Sequence, residues 1–151
     1  MKICFATKKD TKLLREYFKF YNDAVYSAAR IKYFLNYGKT IIAKEGSELV
    51  GLMQWHIKEN PRHGLAELEE VFVHKDHRKK GIATKLINFA IASIRKEFAA
   101  KNIRARKVML FVLEENLAAQ KLYENAGFVK AANVGELFAD GKNDLFYVLD
   151  L

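Results

Sequence analysis

The segment HRKKGIATKL, residues 77–86, combines a cluster of cations with a glycine where a β-rich run changes to a helical one. The first turn of a helix leaves backbone N–H groups without intrahelical partners, and the helix dipole makes that end positive. Phosphate binds well at such an end. Glycine at position 81 lets the backbone approach an anion more closely than a residue with a Cβ would. The segment therefore predicts a pyrophosphate-binding loop at a strand–loop–helix junction.

Two common nucleotide-binding fingerprints are absent here, since the segment matches neither G-x-G-x-x-G nor G-x-x-x-x-G-K-[ST]. It does resemble the acetyl-coenzyme A signature of the GNAT superfamily of N-acyltransferases. That signature reads [RQ]-x-x-G-x-[GA], and Arg78, Gly81 and Ala83 match it. A second superfamily pattern, N-x-x-A-x-x-L-Y-E-x-x-G-F, is present from Asn116 to Phe128. ICFATKKD and EGSELVGLMQW are similar to its opening strands, so the resemblance covers nearly the whole chain.

The resemblance implies transfer of an acetyl group from acetyl-CoA to a primary amine by direct attack. It implies that backbone amides of residues 79–84 bind the pyrophosphate, and that basic side chains, Lys85 among them, add a positive field. The Val71 N–H is then the candidate donor to the acetyl carbonyl. The cofactor-binding residues expected in this way are Val71, Val73, Arg78, Lys79, Lys80, Gly81, Ile82, Ala83, Thr84, Asn116 and Tyr123.

The same resemblance suggests the catalytic groups. Tyr123 matches a tyrosine that protonates the leaving thiolate, and a phenol is protonated at neutral pH. An alkyl amine arrives mostly protonated, so a carboxylate, directly or through water, is expected to take its proton. Glu67 and Glu70, with Glu69 between them, are the candidates on the strand LAELEEVFV. For each glutamate the alternative is an acidic strand edge that pairs with nearby lysines.

The implied fold is α/β (α+β), with a mixed, mostly antiparallel central sheet of about seven strands flanked by about four helices. The hydrophobic pattern predicts a compatible order of elements. Thr7 and Asp10 are candidate N-caps, and Tyr21 belongs to the first helical face. The predicted elements are a strand at KICFA, two helices over residues 10–36 with a break near 22–23, a hairpin over 40–58, a strand over 65–73 with a bulge at Glu69–Glu70, a helix over 81–98, a strand over 105–113, a helix over 116–128 capped by Gly127, and strands over 128–134 and 144–151.

Length and composition indicate one domain over residues 1–151. The net charge of +8 favours polyanionic partners, a phosphate-rich cofactor among them. A lone cysteine, Cys4 in an apolar run, excludes a disulfide framework within the chain and makes a reducing cytoplasm the default. No stretch is long and apolar enough to span a bilayer, so we expect a cytoplasmic protein without a membrane partner.

No metal site is expected. His74 and His77 have an H-x-x-H spacing, but the sequence shows no third ligand beside them. Two other function classes stay open: a basic nucleic-acid-binding module, for which no motif is present, and an acyl-CoA-sensing protein without turnover. The three glutamates favour a cationic amine as acceptor, either a small molecule or a protein amine. We expect a monomer or a homodimer.

Overall fold

Seven strands form one sheet in the computed structural model, which describes residues 1–19 and 22–151. Their order across the sheet is β1-β2-β3-β4-β5-β7-β6. β4 and β5 run parallel, whereas the pairs β1–β2, β2–β3, β5–β7 and β6–β7 are antiparallel, which confirms the predicted mixed sheet. The elements are β1 (Lys2–Phe5), α1 (Thr11–Phe18), α2 (Ala24–Asn36), β2 (Lys39–Glu45), β3 (Glu48–Ile57), β4 (Leu65–Val73), α3 (Ile82–Ala99), β5 (Lys107–Leu113), α4 (Leu117–Asn125), β6 (Val129–Asn133) and β7 (Asp144–Asp150).

The residues group into two compact units by their contacts. The first unit contains residues 1–56 and 70–90, and the second contains residues 57–69 and 91–151. β3, β4 and α3 each contribute residues to both units. A single domain over the whole chain stays a prediction, and one cooperative unfolding transition would support it.

In the first unit, helices α1 and α2 form where the sequence supplies caps and an apolar stripe. The predicted break between the two helices ends at Asp23, which is the N-cap of α2. The Asp23 side chain accepts the N–H of Tyr26 at 2.8 Å. Thr7 caps a short 3-10 helix before α1, whereas the Asp10 side chain makes no capping bond to α1. Leu14 and Phe18 of α1 are fully buried in one cluster. The cluster joins them to Ile31 of α2, Ile42 of β2 and Leu52 of β3, with Cys4, Tyr17 and Phe72 packed against it.

In the second unit, β5 shows the alternation that a half-buried strand requires. Val108, Leu110 and Val112 are buried and the residues between them are half-buried. Gly127 forms the C-terminal cap of helix α4 as predicted, and its φ of +91° suits a left-handed cap. The Phe128 N–H then donates to the Tyr123 carbonyl at 3.0 Å, which completes a Schellman motif.

The remaining differences from the expected elements are small. Helix α4 ends at Asn125, ahead of its predicted end, because the cap itself occupies residues 126–128. Tyr21 lies outside the described residues, and the bulge at Glu69–Glu70 stays a prediction. Within the described part of the chain, no helix combines the length and the apolar character needed to cross a membrane.

Candidate active site

The loop between β4 and α3 has the backbone shape of an anion site. We call residues 78–81 the basic loop. It follows a short 3-10 helix over Lys75–His77, and two of its residues have left-handed backbone, Lys79 with φ of +60° and Gly81 with φ of +73°. A non-glycine residue in that region is disfavoured by roughly 1 kcal/mol, so the loop holds Lys79 there against its preference. Left-handed residues beside a helix start bring backbone N–H groups together into an anion-binding concavity.

Gly81 faces open space at the start of α3. A Cβ at this position would meet no heavy atom of the protein within 4 Å. Its carbonyl accepts the N–H of Lys85 at 3.1 Å, which is the first hydrogen bond of the helix. The glycine therefore serves two needs, a positive φ that a side chain would strain and an uncovered backbone that a ligand can approach. The sequence predicted only the second.

The side chains around the basic loop differ in what they can offer a ligand. Arg78, Lys79 and Lys80 are exposed, so their charges lie at the surface of the loop. The Arg78 Nε donates to the Val73 carbonyl at 3.1 Å, which fixes the arginine against β4 and leaves its guanidinium four further N–H donors. Ile82 was predicted to bind the cofactor, but its side chain is buried, so only its backbone N–H suits that role.

The other expected cofactor residues of the first unit lie on either side of the loop. Ala83 and Thr84 form the first turn of α3. Val71 and Val73 are half-buried on β4. The Val73 carbonyl already accepts Arg78, so this group is engaged within the protein.

Glu70 is the β4 carboxylate that contacts helices α1 and α2. The Tyr17 hydroxyl donates to Glu70 Oε1 at 3.1 Å, and a terminal nitrogen of Arg30 lies 3.8 Å from Oε2. The Arg30 and Glu70 side chains are only 14% and 18% exposed, so the charges meet where water screens them little. We call Tyr17, Arg30 and Glu70 the Glu70 cluster.

Aromatic rings hold the two partners of Glu70 in place. The Tyr17 ring lies 4.3 Å from the Phe72 ring, and the Arg30 guanidinium lies 5.0 Å from the centre of the Phe34 ring. A cation over an aromatic face is attracted by the ring quadrupole. Glu70 therefore lies in a defined polar site between three elements of the first unit.

Glu67 belongs to the second unit and has a different environment. Its carboxylate lies 2.8 Å from Lys58 Nζ, and this hydrogen bond raises the pKa of Lys58. A lysine that stays protonated neutralises Glu67 throughout the physiological range. Pairing with a lysine, which the sequence analysis kept as the alternative for each glutamate, therefore describes Glu67, although β4 is an interior strand and not an edge of the sheet. Glu69 is half-buried between the two.

Asn116 and Tyr123, the expected site residues of the second motif, lie on α4 of the second unit. Asn116 is the N-cap of α4, and its Oδ1 accepts the Ala119 N–H at 3.1 Å. The side-chain amide keeps its two N–H donors for other partners. Tyr123 is buried, with its ring in edge contact with Phe128. Both residues thus have a structural role, and their roles toward a cofactor stay predictions.

The sequence analysis missed two members of the Glu70 cluster. Tyr17 falls on the apolar face of α1, in a series of aromatic residues for most of which the sequence favours core packing, with an acceptor pocket as the alternative for some, so the pattern does not single it out. Arg30 had no signal, because it comes from a helix without a motif and is 40 residues from the carboxylate it meets.

Comparison with known proteins shows which family the sequence matches. Residues 10–128 match the sequence model described as the acetyltransferase (GNAT) family. A spermidine N(1)-acetyltransferase from Vibrio cholerae is 31% identical over 103 residues, which is 68% of this chain and 56% of the relative. An uncharacterized N-acetyltransferase from Methanocaldococcus jannaschii is 45% identical over 64 residues, 42% of this chain and 26% of the relative. The chain thus spans well under two thirds of either curated relative.

Solved structures agree on the architecture. A ribosomal-protein-alanine N-acetyltransferase from Brucella melitensis superposes with a TM-score of 0.82, covering 100% of both chains at 18% sequence identity. At this identity the likeness concerns the fold and carries no information about the acceptor.

Proposed function

This chain belongs to the acetyltransferase (GNAT) family, and we propose from that membership that it transfers an acetyl group from acetyl-CoA to a primary amine of a cationic acceptor. The single observation that carries the cofactor half is the basic loop. Its left-handed Gly81 is uncovered at a helix start, beside exposed Arg78, Lys79 and Lys80. Backbone donors together with accessible cations suit a pyrophosphate.

The residues present fit acetyl-CoA. The N–H groups of residues 79–84 would hold the pyrophosphate, and Asn116 would add a donor from the second motif. When bound, acetyl-CoA supplies a thioester carbonyl that accepts the amine nitrogen while the carbon–sulfur bond breaks, so the nitrogen loses a proton and the thiolate gains one.

The chain's own groups take three roles in the proposal. The Val71 N–H donates to the developing oxyanion, because β4 is rigid and holds the donor before the reaction begins. Tyr123 gives its hydroxyl proton to the thiolate, and the proton that the attacking amine nitrogen then loses restores the phenol. Glu70 takes the proton of the acceptor ammonium. Glu67 is the second candidate for that base, although its salt bridge with Lys58 opposes it.

The Glu70 cluster supports a cationic acceptor. An acceptor ammonium group carries the same charge as Arg30, which lies 3.8 Å from Oε2, and can hydrogen-bond to the same carboxylate. The Vibrio cholerae relative is named for spermidine, which is a cationic amine of this kind. The main alternative to a small cationic amine as acceptor is an amine of a protein.

Calorimetry with acetyl-CoA, followed by a turnover assay, tests the proposal. Thiol release should require both acetyl-CoA and an amine, and linear polyamines should exceed an amino sugar and a peptide with a free N-terminus in kcat/KM. Preference for the peptide would assign a protein acceptor instead. Binding of acetyl-CoA without turnover on any amine would favour the sensing protein, and binding of nucleic acid alone would favour the basic module.

Two further properties belong to this proposal. The single cysteine, free and half-buried, suits a reducing cytoplasm. We propose a monomer or homodimer, which light scattering of the purified protein distinguishes.

A further inference from the structure

A pair of histidines lies just before the basic loop, outside the groups used above. His74 follows β4 directly, and His77 ends the short 3-10 helix that leads into Arg78. Their rings meet edge to face, with centroids 5.9 Å apart. Histidines three residues apart can share a metal ion, but two ligands do not make a protein site.

The hairpin between β2 and β3 brings a third ligand to this pair. One ligand atom from each of Glu48, His74 and His77 lies within 4.8 Å of the others. β3 and the end of β4 are joined beside this point, because the His74 N–H donates to the Val50 carbonyl at 2.9 Å. The carboxylate therefore comes from a chain segment that is fixed relative to the histidines.

The buried nitrogens of the two rings point to a missing ligand. Nδ1 of His74 and Nδ1 of His77 are both shielded from solvent, and neither has a hydrogen-bond partner among the described residues. The nearest carboxylates are too distant for hydrogen bonds, Asp76 at 3.5 Å from His74 and Glu45 at 3.8 Å from His77. Buried polar atoms without partners are uncommon, because each costs roughly 1–3 kcal/mol.

We propose that Glu48, His74 and His77 form a binding site for a divalent transition-metal ion, with Zn²⁺ as the preferred occupant. Two imidazole nitrogens and one carboxylate are ligands that Zn²⁺ takes readily, with a water in the fourth position. Ligands of tetrahedral zinc lie about 2.0–2.2 Å from the ion, hence about 3.3 Å from one another. The three side chains reach this by small rotations, since their donors are already within 4.8 Å.

The carboxylates around the site favour a cation in an otherwise basic region. Glu45 and Asp76 lie beside the Nδ1 atoms of the two rings, so both carboxylates add negative charge around the site. They also offset the charges of the basic loop next to it. Because His77 precedes Arg78, a bound ion would fix the entry to that loop.

Titration of the metal-free, untagged protein with Zn²⁺ alone and Co²⁺ alone tests this site without any turnover assay. We expect one equivalent of Zn²⁺ to bind, and Co²⁺ to give the intense visible absorption of tetrahedral coordination. His77→Ala and His74→Ala should each weaken Zn²⁺ binding by at least about 100-fold, since loss of an outer-shell partner alone costs 10–100-fold. Glu48→Gln should weaken it about 10-fold or more on the same scale.

His63→Ala and Glu59→Gln are the matched controls, because both residues are exposed and lie in the second unit. They should leave Zn²⁺ affinity and the Co²⁺ spectrum unchanged. Circular dichroism of each metal-free variant separates loss of ligand from loss of fold. Equal Zn²⁺ affinity in wild type and in a folded His74→Ala/His77→Ala variant, or a stoichiometry that His63→Ala changes, would overturn the site. The outcome is independent of the acetyltransferase proposal.

Discussion

The basic loop and the Glu70 cluster belong to the same compact unit but are built in opposite ways. The basic loop takes four consecutive residues and presents mainly backbone, with left-handed Lys79 and Gly81 beside the start of α3. The Glu70 cluster takes one side chain from each of α1, α2 and β4, which are far apart in sequence. One is a local backbone site and the other is a distributed side-chain site.

This difference explains why the proposed cofactor site is recognisable from the sequence and the proposed acceptor site is not. A backbone site constrains residue type through φ and through space, and so leaves a short spacing pattern that related chains with the same backbone site share. A side-chain site can be assembled from different positions for each acceptor. The sequence pattern of the family therefore indicates the cofactor, whereas the acceptor has to be inferred from the tertiary structure. Substitutions in each site should separate the two functions.

The largest expected effect is at the basic loop. Gly81→Glu places a carboxylate where the pyrophosphate is expected and forces a side chain onto a φ of +73°. We expect acetyl-CoA affinity, measured by calorimetry, to fall beyond detection. Gly81→Ala, which adds only the backbone strain of about 1–2 kcal/mol, should weaken binding by about 10-fold.

Gly46→Glu is a matched control for this change. Gly46 also has a positive φ, +58°, and a Cβ there would also meet nothing within 4 Å, but it lies in the β2–β3 turn. The Gly46→Glu variant should bind acetyl-CoA as tightly as the wild type does. If Gly46→Glu loses binding equally, strain or net charge is responsible and the loop is not the anion site.

The second expected effect concerns turnover rather than binding. Tyr123→Phe keeps the buried ring and its contact with Phe128 but removes the hydroxyl. Loss of a general acid lowers kcat by about 100-fold or more, with little change in acetyl-CoA affinity. Tyr147→Phe is the control, because its buried hydroxyl donates to Glu124 at 2.9 Å and has no role in the proposal. Equal kcat for Tyr123→Phe and the wild type would remove Tyr123 from the mechanism.

Much of the fold followed from local pattern and resemblance. The strand over 65–73, the helix from Gly81 onward and the Gly127 cap each depend on neighbouring residues, and the structure has them at those positions. The backbone conformation of individual residues was harder to predict from the sequence. The left-handed Lys79 has no signature, because a lysine at positive φ is held by its surroundings and not by its own preference.

The Glu70 cluster shows why the acceptor side resisted prediction. The partners of Glu70 were set by how α1 and α2 pack on the sheet, which periodicity does not specify. Glu67 and Glu70 are the same residue type on the same strand. In the structure, Glu67 pairs with a lysine, whereas Glu70 contacts a tyrosine and an arginine. Only the tertiary environment separates a salt-bridged glutamate from a candidate base.

The third prediction uses that separation. Glu70→Gln removes the charge that would receive the acceptor ammonium, and a hydrogen bond to a charged group contributes roughly 1.5–3 kcal/mol. We expect kcat/KM for a polyamine to fall about 10- to 100-fold while acetyl-CoA affinity stays unchanged, and the acid limb of kcat against pH to flatten. Glu67→Gln should retain that limb. The reverse result, with the limb lost in Glu67→Gln alone, would move the base to Glu67.

The smallest expected effect concerns the support of α1, which carries Tyr17. Asp10 accepts the Thr7 N–H at 2.8 Å and Lys44 Nζ at 2.8 Å, just before α1. Burial by itself raises the pKa of Asp10, but the hydrogen bonds from Lys44 and Thr7 outweigh it and hold the pKa below its usual 3.8. Asp10→Asn should lower the free energy of unfolding by about 1–2 kcal/mol at neutral pH.

The lowered pKa of Asp10 fixes the direction of the pH dependence. A carboxyl that holds its proton less tightly when folded stabilises the fold above pH 3.8, and this contribution is lost as the pH falls below that value. Urea unfolding of wild type and Asp10→Asn should therefore converge in acid. Glu16→Gln, which removes an exposed pair with Lys19, should change neither curve measurably. If the Asp10→Asn difference persists unchanged in acid, its cause is packing, and the charge of Asp10 does not support the acceptor side.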